Sequence, residues 1–426
     1  MKNKVSSDIG LSFDDVVLEP GLGTASVSDV QTKTRITSRL TLEVPILSAA
    51  NESVTGSDMA IAMAQAGGLG IIHHHMKMGH QVEEVRRVKR HEAFIVEKPI
   101  TIYPESPLAE AVDLMTTYDV SGIPVLDQTS QKVIGILTSR DIRFAKDMGM
   151  AVSECMTQND LITVSEEPDL EQAKHLLHEN RIEKLIILDE QEKCAGLITV
   201  KDIENMVKNP NATRDNKGRL RVAASVGIGK DGFNRAQALA DAEADVIVVD
   251  VPQGHHEETL AVVSKIAQLQ SQNIQVIAGN VVTAEGARAL IDNGANGIKV
   301  GPDLPHISAI MNVAEACAAA GVPVIADCGI EHSEDIAKAL AAGADAVVLG
   351  EALAGTDEAP GEMLYDIRQT YKVTERTNKH DMRRPSYKGR VSDVITHHAS
   401  GLKGAMVSVG AGDIEALKYG TKFIQI

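Results

Sequence analysis

The chain has no tryptophan, and aromatic residues make up only 3% of its 426 positions, so its cores must be packed with aliphatic side chains. Cysteine is scarce as well. Cys155, Cys194, Cys317 and Cys328 show no CxxC spacing, which argues against a disulfide framework or a cysteine-based zinc site. No apolar run approaches the roughly 20 residues needed to cross a bilayer, and the first residues lack the basic and then apolar form of a secretory leader. Reduced thiols, a cytoplasmic setting and no membrane span are therefore expected. Basic residues are outnumbered, 42 Lys and Arg against 59 Asp and Glu, giving a net charge of -17. That field repels phosphate, which argues against non-specific binding to nucleic acid or anionic lipid and requires a local site for any anionic ligand.

What is present is aliphatic and periodic. From Arg219 onward, short β-branched runs alternate with Ala-rich amphipathic stretches: Val246 to Asp250, Val276 to Gly279, Gly297 to Gly301, Val322 to Asp327 and Ala346 to Gly350. The runs lack polar alternation, as strands covered on both faces of a parallel sheet do. Stretches such as Ala284 to Asn293 and Ser333 to Ala342 end near Gly, which suits a helix C-terminus. The pattern predicts an α/β fold, a (β/α)8 barrel, with a doubly wound open sheet as the alternative. The N-terminal segment supplies another unit: a strand over Pro45 to Ala49, a helix over Asp58 to Gln65 and a strand over Leu69 to Ile72.

The barrel pattern stops there and resumes after about Met206, so the segment between is read as an insertion. It contains a repeat. Gly135-Ile-Leu-Thr-Ser-Arg-Asp141-Ile returns as Gly196-Leu-Ile-Thr-Val-Lys-Asp202-Ile, an offset of 61 residues. Ile123-Pro-Val-Leu-Asp127 answers Leu185-Ile-Ile-Leu-Asp189, each after a helical stretch, Leu108 to Tyr118 and Leu170 to Asn180. Two copies of one β-α-β-β-α unit fit. The domain boundaries expected are 1–93 for the N-terminal portion of the barrel, 94–206 for the insertion (repeats 94–149 and 150–206) and 207–426 for the rest.

The repeat resembles a tandem CBS pair through its GhhTxxDhh endings. The resemblance implies an adenine or guanine nucleotide, with Asp141 and Asp202 on ribose hydroxyls and Thr138 and Thr199 near phosphate. The alternative is that each Asp simply caps the last helix of its repeat. The barrel segments resemble IMP dehydrogenase and its relative GMP reductase nearly end to end. The resemblance is carried by Leu11-Ser-Phe-Asp-Asp-Val-Val-Leu, Pro45-Ile-Leu-Ser-Ala-Ala50, Gly67-Gly-Leu-Gly-Ile-Ile-His73, Ala278-Gly-Asn-Val281, Ile325-Ala-Asp327 and Leu353-Ala-Gly-Thr-Asp-Glu-Ala-Pro-Gly361. It implies a TIM barrel with an inserted CBS pair and a purine mononucleotide over the C-terminal mouth. It also implies NAD as cofactor and a homotetramer that stacks into octamers.

Carried onto this chain, the family pattern places Asp327 on the nucleotide ribose and brings Gly329, Gly301, Asn280 and Gly350 to the mouth. Asp250 falls on the ribose of the nicotinamide cofactor. Asn280 alternatively ties two loops together, and Gly301 relieves crowding. Several departures stand beside these matches. Where the family carries a glycine-rich loop with the catalytic Cys, this chain runs from Gly301 through Pro302-Asp-Leu-Pro-His306 straight to Ile307. That loop supplies the thiolate which attacks C2 of the base, so without it no covalent adduct forms. It also supplies carbonyls for a monovalent cation, a site expected to be lost. Cys328, in place of a Gly, is a weak candidate for a relocated nucleophile against the alternative of a small packing residue.

Glu351 replaces a small residue beside the phosphate. A carboxylate ~4 Å from the ligand at an effective dielectric of about 20 costs roughly 4 kcal/mol per pair of unit charges, unless it turns to solvent. Val251 replaces a small polar residue beside Asp250, Asn51-Glu52 replaces a Met-Asp step, and the flap between Gly361 and Tyr387 is short. His73-His-His75 and His80 are not read as metal ligands, since adjacent residues of an extended strand face opposite ways. Arg383-Arg384 and the basic run Arg86 to Arg90 are read as solvated faces. The expected function is a catalytically impaired homologue acting as a purine-nucleotide-binding regulatory or assembly protein, with a catalytic paralogue as a candidate partner. The alternatives are an active IMP dehydrogenase or related purine nucleotide oxidoreductase, and a binding module that senses nucleotides through the CBS pair alone.

Overall fold

The computed structural model describes residues 10–23, 26–91, 94–97, 99–118, 120–145, 147–159, 161–165, 168–269, 274–301, 306–365, 370–373 and 385–426. Packing divides the chain into one unit of Met1–His91, Asn211–Asp215 and Leu220–Ile426, and a second of Glu92–Pro210 and Asn216–Arg219.

The first unit is built on a closed barrel of eight parallel strands. They are β1 (Ile46–Ser48), β2 (Leu69–Ile72), β3 (Ala223–Val226), β4 (Val246–Asp250), β5 (Gln275–Val281), β6 (Gly297–Val300), β7 (Val324–Ala326) and β8 (Ala346–Leu349). Closure by β8 against β1, with Val347 opposite Ile46, excludes the open-sheet alternative. Strand β3, Ala-Ala-Ser-Val, escaped the sequence reading because its first two residues carry little β signal.

The two-residue period of the strands sorts their side chains into two layers. Leu47, Leu69, Ile71, Ala223, Val246, Val248, Ile277, Ile325, Ala346 and Val348 fill the barrel interior. Their neighbours, among them Ile72, Val226, Val249, Ile298 and Val300, pack in the outer layer with the surrounding helices. The apolar side chains of the interior are all aliphatic, as the dearth of aromatics requires. A hairpin, Thr34–Arg35 with Thr41–Leu42, brings Ile36, Leu40 and Leu42 into the interior cluster. It closes the barrel floor: the Ile36 carbonyl lies against Gly297 at the start of β6, and Thr34 Oγ1 donates to the Asp345 carbonyl just before β8. A short antiparallel ribbon pairs Val16–Leu18 with Phe423–Gln425, Val16 opposite Gln425 and Leu18 opposite Phe423.

In the second unit, helix Leu108–Tyr118 precedes the hairpin Gly122–Leu126 with Val133–Thr138 and the one-turn helix Ser139–Ile142. Helix Leu170–Glu179 precedes the hairpin Lys184–Leu188 with Cys194–Thr199 and helix Val200–Lys208. The registers correspond: Gly122 faces Thr138 as Lys184 faces Thr199, and each hairpin shifts register at the same step, between Val125 and Leu126 and between Ile187 and Leu188. Each repeat has its own small core, one around Leu108, Ile123, Val125 and Leu137 and the other around Leu177, Leu185, Ile187 and Ile198.

Candidate functional site

Chemistry-bearing residues gather at the C-terminal ends of the barrel strands, where βα barrels place their sites. Asp250 ends β4, Lys299 lies in β6 and Asp327 follows β7, and strand parity turns all three inward. Lys299 is 3% exposed, and its Nζ donates to Asp250 Oδ1 at 2.5 Å and to Asp327 Oδ2 at 2.5 Å. Burial pulls its pKa down, but Asp327 and Asp250 outweigh that and hold it above the ordinary lysine value. The sequence reading gave Lys299 no role. A lone lysine in the apolar strand Gly-Ile-Lys-Val was the available signal.

Asn280, Gly301 and Gly329 fit closely around this triad. A Cβ on Gly301 would come 2.3 Å from Asn280 Cβ, so the small residue is required there. The Asn280 backbone carbonyl accepts from Gly254 N at 2.7 Å, tying two loops, while its buried Oδ1 meets no hydrogen-bond donor among the described residues. Gly329 has φ +55, and a Cβ there would lie 2.7 Å from His306 Cε1. His306 also packs against Phe13, the two rings tilted by 38° with centroids 5.2 Å apart, and it is a residue the sequence reading quoted without assigning. Gly350 is less crowded, its nearest neighbour being Ala49 Cβ. Glu351 is exposed, and Lys388 Nζ donates to its backbone carbonyl. Residues 302–305, where the sequence reading placed the loss of the nucleophile loop, and 374–384, including Arg383 and Arg384, lie outside the described residues.

Cys328 is 3% exposed and packs in the outer cluster, facing away from the interior. Burial, reinforced by Asp327, pushes its thiol up to about 12. Cys317 is buried in helix His306–Ala318 with its thiol likewise pushed up to about 12 by burial. Cys155 and Cys194 belong to the second unit, where burial pushes the Cys194 thiol up to about 11.

The histidines depart from the strand geometry expected of them. Strand β2 ends at Ile72, so His73, His74 and His75 lie beyond it, with the rings of His74 and His75 4.5 Å apart. His74 Nδ1 pairs with Ser225 Oγ at 3.0 Å, while the buried His73 Nδ1 has no hydrogen-bond partner among the described residues. Burial, then His75, lowers the His73 pKa to about 4, and burial and His75 lower that of His74 too.

In the second unit, Thr138 and Thr199 are the N-caps of the closing helices, and Asp141 and Asp202 stand three residues on. The capping alternative is thus realised with the roles divided between Thr and Asp. Asp141 Oδ2 accepts from Thr138 N and Oγ1, each at 2.7 Å, and Asp202 Oδ2 accepts from Thr199 Oγ1 at 2.5 Å. For a nicotinamide cofactor the described residues of the mouth offer Asp250, already engaged by Lys299, beside the apolar Val251. Among the described residues this leaves NAD a single candidate contact, one already paired with Lys299.

The sequence pattern of the IMP dehydrogenase / GMP reductase domain matches residues 10–380. Inosine-5'-monophosphate dehydrogenase of Aquifex aeolicus is 42% identical over 457 aligned positions, covering 98% of this chain and 93% of its own length. Since that alignment is longer than the 426-residue chain, the relative carries segments this chain lacks. Among solved structures, GMP reductase C318A of Trypanosoma brucei in complex with guanosine 5'-monophosphate superposes with TM-score 0.90 at 33% identity, over 99% of this chain and 96% of its own. GMP reductase of the same organism in complex with guanosine 5'-triphosphate gives 0.88 at 33%, over 99% and 98%. With a barrel of this form and identity sustained along its whole length, the chain belongs to the IMP dehydrogenase / GMP reductase family.

Proposed function

We propose that this protein binds purine nucleotides without carrying out the thiolate chemistry of its family, and acts as a regulatory or assembly component. The observation that carries this is the fate of its four cysteines. Two belong to the second unit, and two are buried beside the barrel with thiols pushed up to about 12. A nucleophilic thiolate needs a depressed pKa and access, and these have neither. The run from Gly301 through Pro302-Asp-Leu-Pro-His306 to Ile307 is read as lacking the loop that in the family bears the nucleophile and the carbonyls for a monovalent cation.

Residues 94–206 are read as a CBS pair that takes an adenine or guanine nucleotide, with Asp141 and Asp202 toward ribose and Thr138 and Thr199 toward phosphate. The barrel mouth keeps Asp327, Gly329, Gly301, Asn280 and Gly350 for a purine nucleotide. In support, a relative covering nearly the whole chain was crystallised with GMP and with GTP. A homo-oligomer in the cytoplasm, a tetramer or octamer open to a catalytic paralogue, completes the reading; among the described residues no helix is long and apolar enough to cross a membrane.

A second reading is favoured by the 42% identity to a named IMP dehydrogenase: an active enzyme converting IMP and NAD to XMP and NADH. One experiment separates the two. Purified protein is expected to form no NADH from IMP and NAD where a catalytic homologue turns over, yet to unfold at higher temperature with a purine nucleotide, since a ligand that prefers the native state stabilises it. NADH formation would establish the second reading, and no thermal response to IMP, GMP, ATP or GTP would remove nucleotide binding from the first.

A further inference from the structure

The two hairpins of the second unit pack against each other along a shared apolar seam of Ile136, Ile186 and Leu197. Near the turns, Val133 N donates to the Glu192 carbonyl at 3.1 Å. At the opposite end, where the strands Gly122–Leu126 and Lys184–Leu188 begin, the repeats differ. Gly122 lies opposite Thr138 and Lys184 opposite Thr199, so a residue without a side chain in the first repeat answers a lysine in the second.

Lys184 reaches across to the first repeat. A Cβ on Gly122 would come 2.5 Å from Lys184 Cε and 2.6 Å from its Cδ, so the lysine stem fills the room that a side chain at 122 would need. The residue is only 9% exposed, yet among the described residues its Nζ has no hydrogen-bond or ion-pair partner. The charged groups around it are Glu183, Arg140, Asp141 and Asp202. Glu183 Oε1 pairs with Arg140 at 3.3 Å, Asp141 Oδ2 accepts from Thr138 N and Oγ1, and Asp202 Oδ2 accepts from Thr199 Oγ1. The lysine is bonded to none of these carboxylates. A charge withdrawn from water without a bonded partner is unfavourable, and an acceptor brought by a ligand would relieve it.

We propose that Lys184 is the residue that makes the second unit select a phosphorylated ligand, one per chain, with a phosphate oxygen accepting from its Nζ beside Gly122. Phosphate oxygens are strong acceptors for an ammonium. The carboxylates nearby disfavour a bare phosphate ion, so the phosphate is carried on a group with hydroxyl donors for them, a sugar phosphate or a nucleotide. Gly122 offers no cation at the corresponding place of the first repeat, which limits the chain to one such contact. The proposal rests on the reading of this unit as a nucleotide site and adds the group that tells a phosphorylated ligand from an unphosphorylated one.

The test is calorimetric titration of the full chain and of Lys184→Met with ATP, adenosine and ribose 5-phosphate. The parent should bind ATP at least tenfold more tightly than adenosine, and the variant should lose that advantage, with one Lys184-dependent site per chain. Without ligand, the urea midpoint of Lys184→Met should stay level or rise, because an apolar side chain of similar size replaces an unpaired buried charge. A lysine with a purely structural role would instead lower that midpoint, and that result overturns the proposal. Equal ATP binding by parent and variant would also overturn it while leaving the nucleotide reading in place, as would two Lys184-dependent sites. Lys184-dependent binding of ribose 5-phosphate with no gain for ATP would uphold the lysine's role and remove the nucleotide reading. No binding of ATP or ribose 5-phosphate by the parent would overturn both.

Discussion

Lys299 stands where two inward carboxylates converge, and without its charge Asp250 and Asp327 would face each other with no cation between them. Removing one partner from a buried ion network typically costs about 3 to 5 kcal/mol, because the remaining charges stay desolvated. Lys299→Met is therefore expected to lower the urea midpoint markedly at pH 7. A variant as stable as its parent at pH 7 would show that the triad contributes nothing to the fold. Cys328 makes the opposite case at the same scale. It sits next to Asp327 in sequence, just past the end of β7, but it packs into the outer layer, where burial suppresses its reactivity.

Helix ends and hairpins in the second unit show how a motif can serve structure and binding at once. Thr199 Oγ1 accepts from Asp202 N at 3.1 Å and donates to Asp202 Oδ2, a reciprocal cap for helix Val200–Lys208. Thr199→Ala should cost about 1 kcal/mol of stability with no ligand present, the usual effect of losing an N-cap. If Thr199 also lies near a bound phosphate, the stabilisation by ATP or GTP should shrink in the same variant; an unchanged nucleotide shift would confine the threonine to capping. Elements of this kind were legible from sequence because their signals are local. Helix Leu108–Tyr118 and strands β2 and β4 fall where the residue patterns put them. What was not legible depends on partners distant in sequence. The Lys299 triad needs three strands aligned in the barrel, and the contact of Ser333 with the buried His398 joins residues 65 apart. His73 to His75 were read by strand alternation although they follow Ile72, where the strand ends, so that alternation does not govern how their rings are placed.

For the molecule as a whole, three partly or fully buried histidines bear on acid stability. His73, with its pKa lowered to about 4, His74 and His398 are all held toward the neutral form by burial. The unfolded chain titrates these groups near 6.5, so below that pH it binds more protons than the native state, and stability falls as pH drops from 6.5 toward 4. The His73 contribution is at most about 3 kcal/mol, and less where solvent reaches the ring. Urea unfolding from pH 7.5 to 4.5 should show the decline, and His73→Gln should flatten it; equal slopes would remove His73 from the account.

The ribbon of Val16–Leu18 and Phe423–Gln425 carries a mechanical consequence. Because Val16 pairs with Gln425, tension applied at the two termini enters the ribbon from the same end. The hydrogen bonds then break in succession, as in a zipper, instead of sharing the load in shear, so a stretched molecule gives way first at this latch while the parallel strands of the barrel are still paired.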